Sequence, residues 1–238
     1  LEELERRMPN KLHLKNAYLI ICSGKAQMDY LRTFISSNKL AYLPLGVDTK
    51  SFRPLKGKNN RDKNLVICVG NNRRDYSTLK KIYLILKKKR PSIKLKLAGS
   101  LQAKDNFINH PEVEILPFLS EKKFRDLYNK ASILILPLLE GGSSQTLNEA
   151  LSSGLPVITN SFPNLLDYTN TKAVLSFQPK DFRSMAHACL NLLNDDGRIN
   201  LMSKNARLHM LNYDNAIIKK KLISIYTSYL GIKINEDI

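Results

Sequence analysis

The chain has 238 residues, enough for one large domain or a domain and a half. Its 43% hydrophobic and 25% charged residues are typical of a globular protein, and no apolar run approaches the roughly 20 residues that a membrane-spanning helix needs. The three cysteines, Cys22, Cys68 and Cys189, lack metal-ligand spacing, and their odd number argues against a disulfide framework. We therefore expect a reducing, cytoplasmic setting.

The formal net charge of +17 bears on partners and solubility rather than on fold. Its densest clusters are lysine-rich and lie within residues 80–96 and 219–221. They fit either a solvated helix face or an anionic membrane surface, to which each nearby basic residue contributes about 1 kcal/mol. No aromatic interleaving or known binding motif accompanies the lysines, so nucleic acid is not an expected partner.

Short apolar runs alternate with amphipathic stretches along most of the chain, which predicts strands that alternate with helices. This alternation indicates an α/β fold with a parallel, doubly wound sheet. The predicted strands are 17–22, 64–69, 93–98, 113–116, 132–136, 156–159 and 173–177. The predicted helices are 1–16, 25–35, 77–90, 101–108, 121–130, 145–153, a short one ending at 168, 181–193, 199–210 and 213–230.

Residues 137–160, PLLEGGSSQTLNEALSSGLPVITN, predict a strand end, a glycine-rich turn, a short helix and a further strand. Gly141 and Gly142 let the backbone turn sharply and approach a ligand closely. Ser143 and Ser144 can cap the helix that follows. The N–H groups of its first turn would point out of the strand end, so the sequence predicts an anion site with phosphate as the usual occupant.

The helix after this turn places Gln145 and Glu149 on one face, because they are four residues apart. In doubly wound sheets the ligand lies beyond the carboxyl ends of the strands. Four loops are predicted to meet that condition: 70–75, 99–103, 117–119 and 140–144.

The glycine-rich stretch resembles the donor-binding signature of retaining GT-B glycosyltransferases of the GT4-like kind (glycosyltransferase group 1). In this chain the signature reads Glu140, Gly141-Gly142-Ser143-Ser144, Glu149-Ala150 and Gly154-Leu155-Pro156-Val157. The family usually has one residue fewer between its two glutamates than the eight between Glu140 and Glu149. Gly141 occupies the position of the family's first glutamate, so either the turn carries one extra residue or the first acidic role is lost.

Two further segments resemble the family. PLGVDTKSFRP, residues 44–54, is similar to the crossover between the two GT-B domains, and 213–230 is similar to the closing helix that crosses back toward the first domain. The resemblance implies a Rossmann-like C-terminal half of a GT-B architecture. Residues 1–45 would be the remnant of the acceptor-side domain with the crossover, and 46–238 the nucleotide-sugar-binding domain. Because the sequence begins with Leu1, we expect the earlier strands of the acceptor-side domain to be missing from it.

The resemblance also implies residue roles. Cations after the first strand hold the donor diphosphate, a loop contacts the base through its backbone, and the second glutamate binds the ribose hydroxyls. The chain has Asn71 where the family often has Arg, and Asp75 where it often has Lys, so Arg73 and Arg74 are the nearby cations, with Arg74 favoured. The implied donor-binding residues are Gly70, Asn71, Arg73, Arg74, Pro117, Phe118, Leu119, Gly141, Gly142, Ser143, Ser144, Gln145 and Glu149, and the candidate catalytic residues are Glu140, for sugar hydroxyls, and Arg74.

The function that the resemblance implies is hexosyl transfer with retention from a nucleotide-diphosphate sugar to a glycan or lipid-linked acceptor, in polysaccharide or glycolipid biosynthesis. Such enzymes need no protein nucleophile, because the leaving diphosphate is stabilised electrostatically. No D-x-D motif is present, so no metal or other cofactor is expected. We expect a cytoplasmic protein that transfers little sugar without its acceptor half. A peripheral position on the inner face of the membrane stays open beside a fully solvated surface.

Two alternatives stay open at this point. A sugar-nucleotide 2-epimerase shares the fold and would act on the donor without an acceptor. A degenerate GT-B module would bind a partner or a membrane. A dinucleotide dehydrogenase is disfavoured, because residues 69–72 lack the second and third glycines of its fingerprint.

Overall fold

The computed structural model describes residues 12–55, 61–168 and 172–231. Its main body is a six-stranded sheet in which all neighbouring strands run parallel. The strands are β3 (Asp62–Val69), β4 (Lys94–Ala98), β5 (Glu114–Leu116), β6 (Ala131–Leu136), β7 (Val157–Asn160) and β8 (Val174–Phe177).

The strand order is β5-β4-β3-β6-β7-β8. The chain adds strands outward from β3 to β5, then returns to the other side of β3 and continues from β6 to β8. The direction of winding therefore reverses between β3 and β6, whose register pairs Val66 with Ile133 and Ile67 with Leu134. In doubly wound sheets this switch point opens a crevice beyond the carboxyl ends of the two strands. The predicted fold class is confirmed.

Helices cover both faces of the sheet. They are α3 (Tyr76–Lys89), α4 (Lys104–Phe107), α5 (Glu121–Lys130), α6 (Gln145–Ser152), α7 (Pro163–Leu166), α8 (Phe182–Leu193), α9 (Asp196–Met210) and α10 (Asn215–Leu230). Alternate residues of the central strands point to opposite faces. On β6, Ile133 and Ile135 pack in the core beneath α3 and α8, whereas Leu134 and Leu136 pack in the core beneath α5 and α6.

The first described segment forms a separate small unit. It contains α1 (Leu12–Lys15), β1 (Ile20–Cys22), α2 (Lys25–Leu31) and β2 (Leu40–Tyr42), and β1 pairs with β2 in parallel. After β2 the chain runs beside the start of α10, where Val47 bridges Asp214. At the other end of α10, the Tyr229 hydroxyl donates to the Leu40 carbonyl at 2.9 Å. The division into domains at residue 46 stays a prediction.

Most predicted elements are confirmed, with differences at their ends that follow from capping. Helix α2 ends at Leu31 rather than at 35, because the N–H groups of Thr33 and Phe34 bond the carbonyls three residues back, at 3.2 and 3.1 Å, and so tighten the turn. Helix α9 begins at Asp196, since the Asp195 carboxylate accepts from the Arg198 N–H at 2.8 Å. The short strand β2 was not predicted. The predicted helix at 1–16 lies mostly outside the described residues.

Within the described ranges, no helix combines the length and the apolar character that crossing a membrane requires. All three cysteines are buried, and none of them forms a disulfide.

Candidate functional site

The two loops at the switch point are hydrogen-bonded to each other. The Asp75 N–H donates to the Pro137 carbonyl and the Leu139 N–H donates to the Arg73 carbonyl, both at 2.9 Å. Gly70, the residue after β3, has a φ of +87°, which favours glycine. The loop after β3 and the loop after β6 therefore form one continuous wall above the ends of the two central strands.

Arg74 is bonded within this wall. Its Nε donates to the Val69 carbonyl at 2.8 Å, Nη1 to the Asn72 carbonyl at 2.8 Å, and Nη2 to the Thr146 hydroxyl at 3.1 Å. Three of the five N–H groups of this guanidinium are thus bonded to protein acceptors. Arg74 connects the end of β3 to the first turn of α6 and places its charge at the N-terminal end of that helix.

Arg73 occupies the left-handed region, with a φ of +58°. This conformation is unfavourable for a residue with a Cβ atom, and such strain clusters at functional sites. Its Nε pairs with Oε2 of Glu140 at 3.1 Å, and the two side chains are 32% and 22% exposed. Of the two arginines, Arg73 is therefore the one whose charge faces the glycine-rich turn.

The two positions where the chain departs from the family pattern have local structural partners. Asp75 is buried and caps α3, because its carboxylate accepts from the Thr78 N–H at 2.9 Å and from the Thr78 hydroxyl at 2.7 Å. The Asn71 amide oxygen lies 3.4 Å from the Tyr76 hydroxyl. Neither side chain adds a cation to the loop.

The glycine-rich turn is closely packed at one position and open at the next. A Cβ atom on Gly141 would lie 2.2 Å from Cβ of Phe162, whereas one on Gly142 would meet nothing nearer than Nη1 of Arg73 at 3.7 Å. In this conformation Gly141 has no room for a glutamate side chain. The acidic side chain of the turn is therefore that of Glu140.

The helix after the turn begins as the sequence predicted, with a different role for each serine. The Ser144 hydroxyl accepts from the Leu147 N–H at 3.3 Å and caps α6. Ser143 does not cap the helix, because its hydroxyl lies 2.9 Å from that of Ser23, after β1. Ser143 thus connects the turn to the first unit, and the exposed Gln145 opens the helix.

Glu149 lies on α6, partly buried. The Tyr128 hydroxyl donates to its Oε2 at 3.0 Å. Burial raises the pKa of Glu149, and hydrogen bonds from Tyr128 and Gln145 oppose that shift because they favour the charged form. The site thus holds a carboxylate whose charge is costly to bury and is supported by fixed donors.

The predicted base-contacting loop extends outward beyond β5. Phe118 is 87% exposed, Pro117 is exposed, and Leu119 packs on the core beneath α5 and α6. Phe118 therefore presents an uncovered aromatic ring at the carboxyl edge of the sheet.

A cleft of about 800 Å³ separates the glycine-rich turn from the first unit. Arg73, Gly141, Gly142 and Ser143 line it, whereas Glu149 and residues 117–119 lie outside it. Sequence reasoning did not identify the facing wall. It consists of residues in and just before α2 and of residues at the start of α7: Ser23, Gly24, Gln27, Asp29, Phe162 and Asn164.

The α2 part of the facing wall is hydrogen-bonded to the main body. The Asn164 side-chain oxygen accepts from the Gln27 N–H at 3.1 Å, and the Asp167 carboxylate accepts from the Lys25 N–H. These bonds join residues more than 130 positions apart, so local sequence does not reveal them. The sequence signals for this wall were turn residues: Ser23-Gly24 after β1 and Asn164 after a proline.

The arrangement suits a ligand that is anionic at one end and rich in hydroxyl groups. Arg73, Arg74 and the N-terminus of α6 supply positive potential, while Glu140 and Glu149 supply carboxylates that accept from hydroxyls. Among the described residues, no group of three or more His, Cys, Asp or Glu is placed to hold a metal ion.

The structure is similar to several solved glycosyltransferases. Sucrose-phosphate synthase from Thermosynechococcus elongatus superposes with a TM-score of 0.80 at 21% identity, over 96% of this chain and 62% of that one. A glycosyltransferase from Rickettsia africae gives 0.75 at 14%, over 97% and 68%. HepE from Anabaena, in complex with UDP and glucose, gives 0.76 at 12%, over 96% and 68%. These likenesses show the fold.

The chain thus spans about 62% of the first of these proteins. No curated protein matches the sequence significantly. The family described as Glycosyl transferases group 1 matches residues 63–195, more than half of the 238-residue chain. The chain belongs to the group 1 glycosyltransferases.

Proposed function

We propose that this chain is the donor-binding part of a retaining hexosyltransferase, which transfers a sugar from a nucleoside diphosphate to a glycan or lipid-linked acceptor. One observation carries the proposal: the glycine-rich turn and the arginine loop meet beyond the carboxyl ends of β3 and β6, where the sheet reverses its winding, and α6, which carries Glu149, begins there. That position is the ligand crevice of doubly wound sheets. The complex of the similar HepE with UDP and glucose supports this ligand class.

The diphosphate is assigned to the cationic side of the site. Arg73 faces the turn and can bind a phosphate through two N–H groups. The N-terminus of α6 favours negative charge, and Arg74 adds its own charge there through Thr146. The same groups stabilise the charge that develops on the leaving diphosphate, so retention requires no protein nucleophile.

The carboxylates and the exposed ring are assigned to the neutral parts of the donor. Glu149 accepts from the ribose hydroxyls, Glu140 from sugar hydroxyls, and the 117–119 loop lies against the base. The cleft between the turn and α2 receives the sugar and the acceptor. Its volume of about 800 Å³ is within the range of small-molecule sites.

An anionic membrane surface is the proposed location of the acceptor, on the cytoplasmic side. Lys81, Leu84 and Lys88 lie on one outward face of α3, since they are three and four residues apart, and Leu84 is 44% exposed. An exposed apolar residue among lysines suits the boundary between lipid headgroups and acyl chains.

Isothermal titration calorimetry with UDP, GDP, ADP, dTDP and CMP tests the donor assignment. We expect one diphosphate to bind, and Glu149→Ala to weaken it about 10- to 100-fold, because hydrogen bonds to a charged group are lost. Glu112, an exposed glutamate before β5, provides the matched control, and Glu112→Ala should leave the affinity unchanged.

The outcome also separates the alternatives. Failure of every nucleotide to bind would contradict the donor assignment and favour a degenerate module. If a nucleotide sugar binds, product analysis distinguishes transfer from 2-epimerisation, which would convert the donor without any acceptor.

A further inference from the structure

A fully buried tyrosine, Tyr128, contacts Glu149 from the protein core. Tyr128 lies in the last turn of α5 and is 0% exposed. Its ring is held by Phe52, edge-to-face at 6.0 Å between centroids, and by Phe124 at 5.8 Å. Its hydroxyl donates to Oε2 of Glu149 at 3.0 Å. A ring fixed on two sides has few alternative positions, so this hydroxyl is a fixed donor.

We infer that Tyr128 is a positioning residue for the donor nucleotide: its hydroxyl holds Oε2 of Glu149 and so orients the carboxylate to accept from the ribose hydroxyls. The inference rests on the proposed function, because it assigns Glu149 to the ribose. A carboxylate with one oxygen already fixed loses less side-chain freedom when a ligand binds to it.

The protonation states of the pair agree with these roles. Burial raises the pKa of Tyr128 well above its usual value, so the phenol stays protonated and remains a donor. Burial raises the pKa of Glu149. Hydrogen bonds from Tyr128 and Gln145 lower it, and the Glu121 carboxylate raises it. Glu121 is itself paired with Arg125. Removal of the Tyr128 hydroxyl would therefore raise the pKa of Glu149 further.

The chain contains a matched pair outside the site. Tyr83, which is 1% exposed, donates from its hydroxyl to Oε1 of Glu112, also at 3.0 Å. Tyr83 lies in α3 on the opposite face of the sheet. Tyr83→Phe removes the same kind of hydrogen bond without touching the proposed site, and so separates a general cost of losing a buried hydroxyl from an effect on Glu149.

The test compares two probes by calorimetry: the best-binding diphosphate among UDP, GDP and ADP, and its 2′,3′-dideoxy counterpart. In the parent protein the dideoxy probe should bind more weakly. We expect Tyr128→Phe to weaken the ribonucleotide about fivefold and the dideoxynucleotide by less than twofold. Tyr83→Phe should change neither, and Tyr128→Phe should have no further effect in a Glu149→Ala background, where the acceptor of the tyrosine hydroxyl is removed.

A purely structural role would weaken both probes equally, and that result, or no change in either, would overturn the inference. If the parent binds no nucleotide, the proposed function fails and the inference fails with it. If the parent binds but Glu149→Gln does not reduce the preference for the ribonucleotide, the ribose assignment fails. Should Tyr128→Phe not fold, 3-fluorotyrosine at position 128 keeps the ring and strengthens the donor, so the ribonucleotide preference should rise; a fall would contradict the inference.

Discussion

Two buried tyrosines donate to glutamates at the same distance, 3.0 Å, on opposite faces of the sheet, yet the two carboxylates differ in their energetics. Glu112, before the edge strand β5, is 40% exposed, and its own backbone N–H lowers its pKa. Burial instead raises the pKa of Glu149 beside the switch point. The charge of Glu112 therefore adds to stability at the outer edge, whereas burial makes the charge of Glu149 costly at the switch point.

The opposite pKa shifts of Glu149 and Glu112 bear on the roles of the switch point and of the outer edge around β5. A carboxylate that burial penalises has to be supported by neighbouring donors, and groups with perturbed pKa values cluster at functional sites. At the outer edge, Glu112 is solvent-exposed and its charge is not penalised by burial to a comparable extent. Tyr83, Phe107 and His110 pack there as an aromatic cluster. This difference agrees with the proposed ligand site at the switch point and with a role in fold stability for the outer edge.

The largest effect is expected at the glycine-rich turn. Gly141→Ala places a Cβ atom within 2.2 Å of Phe162, and overpacking of this kind costs about 1–3 kcal/mol of unfolding free energy. Gly142→Ala meets only ordinary contacts and should be neutral. Urea unfolding measures both. A second substitution, Phe162→Ala, should make Gly141→Ala tolerable. Equal destabilisation by Gly141→Ala and Gly142→Ala would show that the turn is not closely packed.

A smaller effect is expected on the outward face of α3. Lys88→Ala should weaken cosedimentation with phosphatidylglycerol vesicles by about 1 kcal/mol, roughly fivefold, and leave nucleotide affinity unchanged. Lys122→Ala removes an exposed lysine from α5, on the other face of the sheet, and serves as the control. Equal losses from both variants would mean that binding follows net charge alone and that α3 has no special role.

The smallest expected effect is the change in unfolding free energy when Glu149 or Glu112 loses its charge. It has opposite signs at the two positions. The folded-state pKa of Glu149 lies above its unfolded value, so its charge lowers stability as pH rises through that folded pKa. Glu112, with a lowered pKa, contributes stability that is present above its unfolded pKa and is lost in acid. At pH 7 we expect Glu149→Gln to raise the unfolding free energy slightly, by less than about 1 kcal/mol, and Glu112→Gln to lower it.

Thermal unfolding between pH 4 and pH 7 measures these differences. The gain from Glu149→Gln should shrink toward pH 4, where the parent carboxyl is protonated. A destabilised Glu149→Gln variant at pH 7 would show that burial of this carboxylate is not costly.

Local sequence signals predicted much of the switch-point region, namely β6, the glycine-rich turn and α6. The uncharged run of β6, the two glycines and the Ser144 cap act within a few residues of one another, so strand, turn and helix followed from the sequence. Helix α5 was also predicted with its bounds at Glu121–Lys130, because Ser120 caps it. Each of these features depends on propensity or capping, which local sequence reveals.

The parts that were not predicted depend on distant residues. Phe162 fills the space beside Gly141, Asn164 caps α2, and Tyr128 fixes Glu149 across 21 positions. The sequence also did not reveal which acceptors the two arginines meet. Arg74 was favoured for the diphosphate, whereas in the structure it is bonded to Val69, Asn72 and Thr146, and only packing revealed those partners.

We propose that a nucleoside diphosphate binds at the switch point between β3 and β6. Hydrogen–deuterium exchange with and without the best-binding diphosphate tests it most directly, because backbone N–H groups of both loops are available as probes. We predict slower exchange in residues 70–75 and 140–149, and unchanged exchange in residues 108–114 at the outer edge. Slower exchange confined to the outer edge or to α8 and α9, with none in the two switch-point loops, would contradict the account.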